Sequence, residues 1–498
     1  MTEKVSIRSL RTGVPGLDQL LGGGIPEFSL NILSGAPGSG KTTLAHQIMF
    51  GMATPENKAL YISILGEPPV KMLRYQQQFT FFDPNKIQES IHYLNLSELI
   101  LASDFDGALS RITEEVNRIS PALVLVDSIR ALLGLAERAH QDEADTIEFI
   151  QRLGIQLSSL QTTTLLIGEY RSTDDDLTSI FTVADGVIHL TQSLHRNSVV
   201  RKVQVVKMRG HAQVPGLHTF RIQNSGLEIF PRAIVLGNIW PGPPPEANAN
   251  ANANIVRLSL GKSGIDDMLA GGLPAGYSLL VVGPSGSGKT ILATEFLAEG
   301  VRSGENGVIA IFEKSPHQSR GNQILTPLIE SGHIGTIESR ALDLSLDEVL
   351  HDLTGTIKRL GAKRVVIDSL SGFELSLAPE FSEDFRSSLY RMVAQLTAMG
   401  VTILMTSELE DRYTDLRFSP FGSAFMADAI IVQRYVEISS EFKRVMSVIK
   451  VRGSPHEKSI RLYDIDHTGV HLGQLLTDYQ GIMGGRPEWQ PPSRTPSS

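Results

Sequence analysis

Residues 28–42 read FSLNILSGAPGSGKT, and residues 276–290 read GYSLLVVGPSGSGKT. Each is an apolar, strand-like run that closes on Gly, four residues, then Gly-Lys-Thr. Glycines at these positions let the backbone curl until successive N–H groups point at one phosphate oxygen cluster. The helix expected next adds the positive end of its dipole. The expected cradles are Gly35, Gly38, Ser39, Gly40, Lys41, Thr42 and Thr43, and again Gly283, Gly286, Ser287, Gly288, Lys289 and Thr290. Lys41 and Lys289 are the candidates for the β- and γ-phosphates of ATP, and Thr42 and Thr290 for Mg²⁺.

Working outward, the two stretches belong to a longer repeat. TGVPGLDQLLGGGIP (12–26) precedes the first loop and LGKSGIDDMLAGGLP (260–274) the second. LVLVDS (123–128) is matched by VVIDS (365–369), and VVKMRG (205–210) by VIKVRG (448–453). Matched landmarks in one order mark duplicated domains. Between them, PGPPPEANANANAN (241–254) has no apolar periodicity and reads as an exposed linker. The expected organisation is a first domain over 1–240, the linker 241–254, a second domain over 255–480 and a disordered Pro/Ser-rich tail over 481–498. In both halves apolar runs alternate with helical periodicity. The expected class is α/β: two tandem domains, each a mostly parallel sheet flanked by helices.

Composition narrows the function classes. The 498 residues contain no cysteine and carry a formal net charge of −9. Disulfide frameworks and cysteine-ligated zinc are excluded, and a chain that is basic overall is not present. The first residues, MTEKVSIRSL, lack a signal-peptide core, and no apolar run approaches the roughly 20 residues of a spanning helix. The expectation is a cytoplasmic protein without a membrane partner; the acidic balance disfavours nucleic acid but leaves room for a local basic groove.

Other residues complete the chemistry. Asp127 and Asp368 end apolar strands, the Walker B arrangement that holds Mg²⁺ through water. Glu67, in LYISILGEPP, and Glu313, in IAIFEKSP, follow the next strand and are candidates to orient the attacking water. Glu169 and Glu408, ending LLIGE and LMTSE, are candidates for a supporting role. Lys207 with Arg209, and Lys450 with Arg452, present paired cations far in sequence from their own loops. A neighbouring chain's γ-phosphate is their expected target.

The tandem arrangement, the leading TGVPGLDQLLGGGIP, the Walker motifs and the late KMRG and KVRGSPHEK segments resemble the KaiC family. The likeness covers roughly residues 5–480 and implies RecA-like P-loop ATPase domains, two stacked rings in a homo-hexamer, and ATP held between subunits. It implies that Lys207, Arg209, Lys450 and Arg452 reach the neighbour's nucleotide, and that an unidentified regulatory protein is a partner. Two departures stand out. The family's adjacent glutamates are replaced by Gly66-Glu67 and Glu313-Lys314. Its adjacent Ser-Thr acceptors are replaced by Ala424 and Phe425 in GSAFMAD (422–428), with Ser423 and Ser419 the nearest hydroxyls. The leading expectation is ATP binding and Mg²⁺-dependent hydrolysis in a regulatory or signalling ATPase without the paired autophosphorylation sites. Alternatives are a serine/threonine autokinase, a RecA-like DNA-associated ATPase, and a nucleotide-gated scaffold with weak turnover.

Overall fold

A computed structural model describes residues 7–64, 69–102, 104–128, 143–169, 178–195, 198–232, 256–312, 324–338, 345–377, 381, 385–409, 426–477, 479–482 and 488–489. Glu67, Glu313, Ser419, Ser423, Ala424, Phe425 and the segment 241–254 lie outside the described residues. The chain divides into two compact units, 1–232 and 233–498.

The first unit is built on strands β1 (Leu30–Gly35), β2 (Ala59–Ser63), β3 (Ile91–Asn95), β4 (Leu123–Asp127), β5 (Thr163–Glu169), β6 (Gly186–His195), β7 (Ser198–Met208), β8 (His218–Gln223) and β9 (Gly226–Phe230). They form one nine-stranded sheet in the order β9-β8-β7-β6-β1-β5-β4-β2-β3. The strands from β3 to β6 in that order run parallel, and β7 to β9 are antiparallel. All six residues of β1 are buried, as expected for a parallel strand covered on both faces.

The pleat of β1 sends alternate residues to two cores. Leu30 and Ile32 join Ile112, Val116 and Leu153 on one face. Leu33 joins Leu44 and Ile48 on the other. The second face is covered by helix α1 (Lys41–Met52), which springs from the glycine loop. The first is covered by α2 (Phe105–Ile119) and α3 (Glu143–Ser159). Helix α2 forms because Asp104 caps it, accepting the Gly107 N–H at 2.8 Å, and because Leu109, Ile112, Val116 and Ile119 fall on one stripe. It stops where Ser120 turns left-handed at φ 52°.

The second unit repeats this plan with β10 (Ser278–Gly283), β11 (Gly307–Ile311), β12 (Ile334–Glu338), β13 (Arg364–Asp368), β14 (Thr402–Glu408), β15 (Ala429–Ile438), β16 (Glu441–Val451), β17 (Arg461–Asp466) and β18 (Gly469–Leu475). Its sheet order, β18-β17-β16-β15-β10-β14-β13-β11-β12, is that of the first unit, element for element. Helix α4 (Lys289–Arg302) follows the loop, and α5 (Leu346–Leu360) is capped by Ser345 and ended by Gly361 at φ 61°. The expected α/β class with mostly parallel sheets is what both units show.

The repeat that precedes each loop has a structural role. In the first unit Asp18 accepts the Thr12 N–H at 2.8 Å and its hydroxyl at 2.7 Å. In the second, Asp266 accepts the Leu260 N–H at 2.8 Å and the Ser259 hydroxyl at 2.5 Å. Each aspartate closes a loop around the short strand pair that leads into the sheet, Ser9–Leu10 with Ile25–Pro26 or Arg257–Leu258 with Leu273–Pro274. Beyond residue 480, Ile482 is buried with Val436 and Val445, and Glu488–Trp489 pairs with Tyr479–Gln480. These contacts fall past the boundary that composition suggests.

Candidate nucleotide-binding sites

Strand order decides which side chains meet. In each unit the loop-bearing strand and the Walker B strand are separated by one strand, β5 or β14. Glu169 is in register with Gly35, and Glu408 with Gly283. Asp127 is in register with Ile167, two residues before Glu169. The carboxyl ends of three parallel strands therefore gather a glycine loop, an aspartate and a glutamate at one sheet edge. This is where ligands bind in open α/β sheets.

The loops take the shape that a phosphate cradle needs. Gly38 and Gly40 lie at φ 78° and 100°, and Gly286 and Gly288 at 76° and 91°. This is the left-handed region, which glycine enters without a Cβ clash. Gly40 and Gly288 are the N-cap residues of α1 and α4, so the free N–H groups of each helix start open into the loop. Lys41 Nζ donates to the Ala36 carbonyl at 2.8 Å, and Lys289 Nζ to the Gly283 and Pro284 carbonyls, each at 2.8 Å. Burial pushes the Lys41 ammonium below its ordinary pKa, and the carboxylates of Glu169 and Asp127 oppose that shift. Both acids thus lie within electrostatic reach of the loop lysine.

In the second unit the same groups line a cavity of about 350 Å³ that includes Gly286, Lys289, Thr290, Asp368, Glu408 and Arg444. A loop of N–H donors, a lysine, a threonine hydroxyl and one strand-end carboxylate form the donor set that Mg²⁺ and a triphosphate share, since Mg²⁺ keeps several waters and takes few protein ligands. The residues present fit that group.

The two aspartates are held differently. Tyr61 Oη donates to Asp127 Oδ2 at 2.8 Å from β2. Thr406 Oγ1 donates to Asp368 from β14. By register, Ile309 stands at the Tyr61 position of the second unit, and Ile167 at the Thr406 position of the first. Tyr61 in turn stacks on His46, ring centroids 5.0 Å apart. His46 Nδ1 lies 2.8 Å from the Thr42 carbonyl, and its Nε2 is buried without a hydrogen-bond partner among the described residues. Burial drives the His46 pKa down to about 4, against the opposing pull of the Thr42 carbonyl. His189, hydrogen-bonded to Ser34 at 2.9 Å, is shifted down by burial and by the charge of Lys41.

The paired cations lie elsewhere. Lys207 is in register with Val187, which stands beside Ile32, three residues before the loop begins. That is about 10 Å along the strand. Lys207 Nζ donates to the carbonyls of Phe181 at 3.3 Å and Thr182 at 3.2 Å, and Arg209 pairs with Asp185 at 3.1 Å. In the second unit Lys450 Nζ donates to the Ala427 carbonyl at 2.7 Å, and Arg452 pairs with Asp428 at 3.3 Å. Burial lowers the pKa of both lysines; the adjacent arginine adds to the shift, and Asp185 or Asp428 opposes it. Asp185 and Asp428 also accept the N–H groups of Leu30 and Ser278, each at 3.0 Å, so they tie the cation pair to the root of the loop strand. The structure thus gathers the loops, Asp127, Asp368, Glu169 and Glu408, and sets the Lys-x-Arg pairs apart from them within each chain.

Sequence reading missed several residues of the site. Tyr61 and Thr406 are typical strand residues and carry no motif. Arg444 was legible in principle: it precedes Lys450 by the same interval that separates Arg201 from Lys207. Arg201 and Arg444 pair with Gln192 and Tyr435 at equivalent places, and each has a buried Nε without a hydrogen-bond partner among the described residues.

Among the described residues no helix is long and apolar enough to cross a membrane. The family model for the KaiC ATPase matches residues 10–234 and again 258–476. The circadian clock oscillator protein KaiC of Rippkaea orientalis is 26% identical over 494 residues, covering 97% of this chain and 92% of that protein. The circadian clock protein KaiC3 of Synechocystis sp. is 26% identical over 504 residues, covering 97% and 95%. With the family's domain matched twice and a RecA-like sheet under each phosphate loop, the chain belongs to the KaiC ATPase family.

Proposed function

We propose that each unit binds ATP with Mg²⁺ and hydrolyses it at a subunit interface of a homo-oligomer, expected to be a hexamer, that serves a regulatory or signalling role. The observation that carries this reading is the repeated convergence of a phosphate loop, a Walker B aspartate and a strand-end glutamate on adjacent parallel strands. Bound Mg²⁺ would neutralise charge developing between the β- and γ-phosphates. The loop N–H groups and Lys41 or Lys289 orient the phosphates, while Thr42 with Asp127, or Thr290 with Asp368, hold the metal and its water. Arg444 adds a cation to the second cavity. Glu67 and Glu313 are the groups proposed to orient the attacking water, with Glu169 and Glu408 supporting from β5 and β14.

The place of these cations, with Lys207 and Lys450 about 10 Å along the sheet from their own loops and Arg209 and Arg452 farther still, supports their use on a neighbouring chain's γ-phosphate. The family's paired autophosphorylation is left out of the proposal, because Ala424 and Phe425 offer no hydroxyl. The net charge of −9 favours a protein partner over nucleic acid. The reading places the protein in the cytoplasm.

Mixing tests the composite site. A Lys450→Ala/Arg452→Ala chain combined with a Lys289→Ala chain should regain second-unit ATPase activity, because some interfaces then join an intact loop to intact cations. Absence of rescue after subunit exchange, verified by mass photometry, would rule out donation in trans.

A further inference from the structure

The two phosphate loops share a backbone but are not fastened alike. Ser287, in the second loop, is fully buried, and its hydroxyl donates to Gln433 Oε1 on β15 at 3.0 Å. Its carbonyl accepts the hydroxyl of Tyr463, on β17, at 2.7 Å. Tyr463 is itself 2% exposed, so water competes poorly for this contact. The carbonyl of Ser287 and the N–H of Gly288 belong to one planar peptide and point in opposite directions. Fixing the oxygen therefore fixes the direction of a cradle N–H.

The first loop has neither tether. Leu190 is in register with Gly35, where Gln433 stands beside Gly283 in the second unit. Phe220 occupies the place of Tyr463 and has no hydroxyl: two residues on, Ile222 approaches Gly40 just as Ile465 approaches Gly288. Ser39, the counterpart of Ser287, is equally buried, yet its hydroxyl has no hydrogen-bond partner among the described residues. An unpaired buried hydroxyl costs free energy that a small rearrangement of the loop relieves. Gln433 Nε2 is also buried without a hydrogen-bond partner among the described residues, but it lies on β15; the loop's own hydroxyl is paired in the second unit and unpaired only in the first.

We propose that Gln433 and Tyr463 are positioning residues that hold the second loop ready for a nucleoside di- or triphosphate, and that Leu190 and Phe220 leave the first loop as the weaker, faster-exchanging site. The proposal rests on the reading of both loops as nucleotide sites. A loop already in its binding conformation spends less of the interaction on ordering, so the difference falls on affinity and release rather than on the chemical step.

Two readouts on the full-length protein test this. In nucleotide-free protein, hydrogen–deuterium exchange read by mass spectrometry should be slower for peptides spanning 283–291 than for those spanning 35–43. The double variant Gln433→Leu/Tyr463→Phe, which installs the side chains of the first unit, should bring the second loop's exchange to the level of the first. Fluorescent ADP with Mg²⁺ then reads affinity, with the other site silenced by Lys41→Ala or Lys289→Ala. Affinity at the second site should fall about tenfold in the double variant, and Leu190→Gln/Phe220→Tyr should raise it at the first. Tyr463→Phe alone, nearly isosteric, should give part of the loss without disturbing the fold. Equal exchange in the two loops, or binding at both sites unchanged by the double variant, would overturn the inference while leaving the ATP reading intact. Absence of binding at either loop would overturn both.

Discussion

The first unit steadies its strand-end aspartate, Asp127, with Tyr61, reaching from β2, and stacks that tyrosine on a buried histidine; the second steadies Asp368 with Thr406, from the strand between loop and aspartate. Strand order, loop shape and the placement of the acids are the same in both. Duplication has thus kept the scaffold of loop, aspartate and strand-end glutamate, while the layer behind it has diverged. That layer sets how firmly each group is held, which is where two sites on one backbone can differ in affinity and turnover.

The largest difference should come from the acid proposed to orient the attacking water. Glu313→Gln should reduce second-unit turnover about 100-fold, the usual scale for removing a proton-handling group. The background should be Lys41→Ala, so that only that unit is read by phosphate release. Activity retained at the parent level would move the role to another residue, with Glu408 the first to examine.

A pH effect of similar size sets the first unit apart. His46 is fully buried with its pKa held down to about 4, against about 6.5 in the unfolded chain. Between those values the unfolded state binds the extra proton, so stability is full above pH 6.5 and is lost as pH falls toward 4. The loss should reach roughly 3 kcal/mol at the lower end. The second unit has Thr294 at the equivalent place, five residues after its loop lysine, and threonine does not titrate in this range. Urea denaturation followed by exchange of unit-specific peptides should show the first unit's midpoint falling with acid. His46→Thr should make that slope shallower, with His92, His189 and His218, which burial also shifts down, supplying the remainder; an unchanged slope would assign the sensitivity elsewhere.

The smallest effect concerns Tyr61. Removing a hydrogen bond to a charged carboxylate costs about 1.5–3 kcal/mol. Tyr61→Phe should therefore raise the Mg²⁺ concentration needed for nucleotide binding at the first site by at least about tenfold, and leave binding at the second unaffected. A Mg²⁺ titration of fluorescent-nucleotide binding in the Lys289→Ala background reads this directly. Equal shifts at both sites, or none, would dissolve the contrast between the two aspartates.

The parts of this comparison visible in sequence were those fixed by backbone geometry. Glycines in the left-handed region, a lysine closing the loop and an acid ending a buried strand must recur wherever that geometry recurs, so Gly40, Lys41 and Asp127 could be named with their partners in the second half. The tethers could not. Tyr61, Thr406, Gln433 and Tyr463 act across strands that are far apart in sequence, and only the sheet order shows what each touches. Asp185 and Asp428 were hidden for the same reason: each looks like a loop acid, yet each joins a cation pair to the first residue of the loop strand.

Counting nucleotides per chain tests the central claim most directly. Equilibrium dialysis of the intact protein with Mg²⁺ and a non-hydrolysable ATP analogue should saturate at two per chain. Lys41→Ala and Lys289→Ala should each reduce this to one, and the double variant to none, because each substitution removes the charge aimed at the β- and γ-phosphates. Saturation at one per chain in the intact protein, or two retained after either lysine is replaced, would contradict the account of two independent phosphate loops.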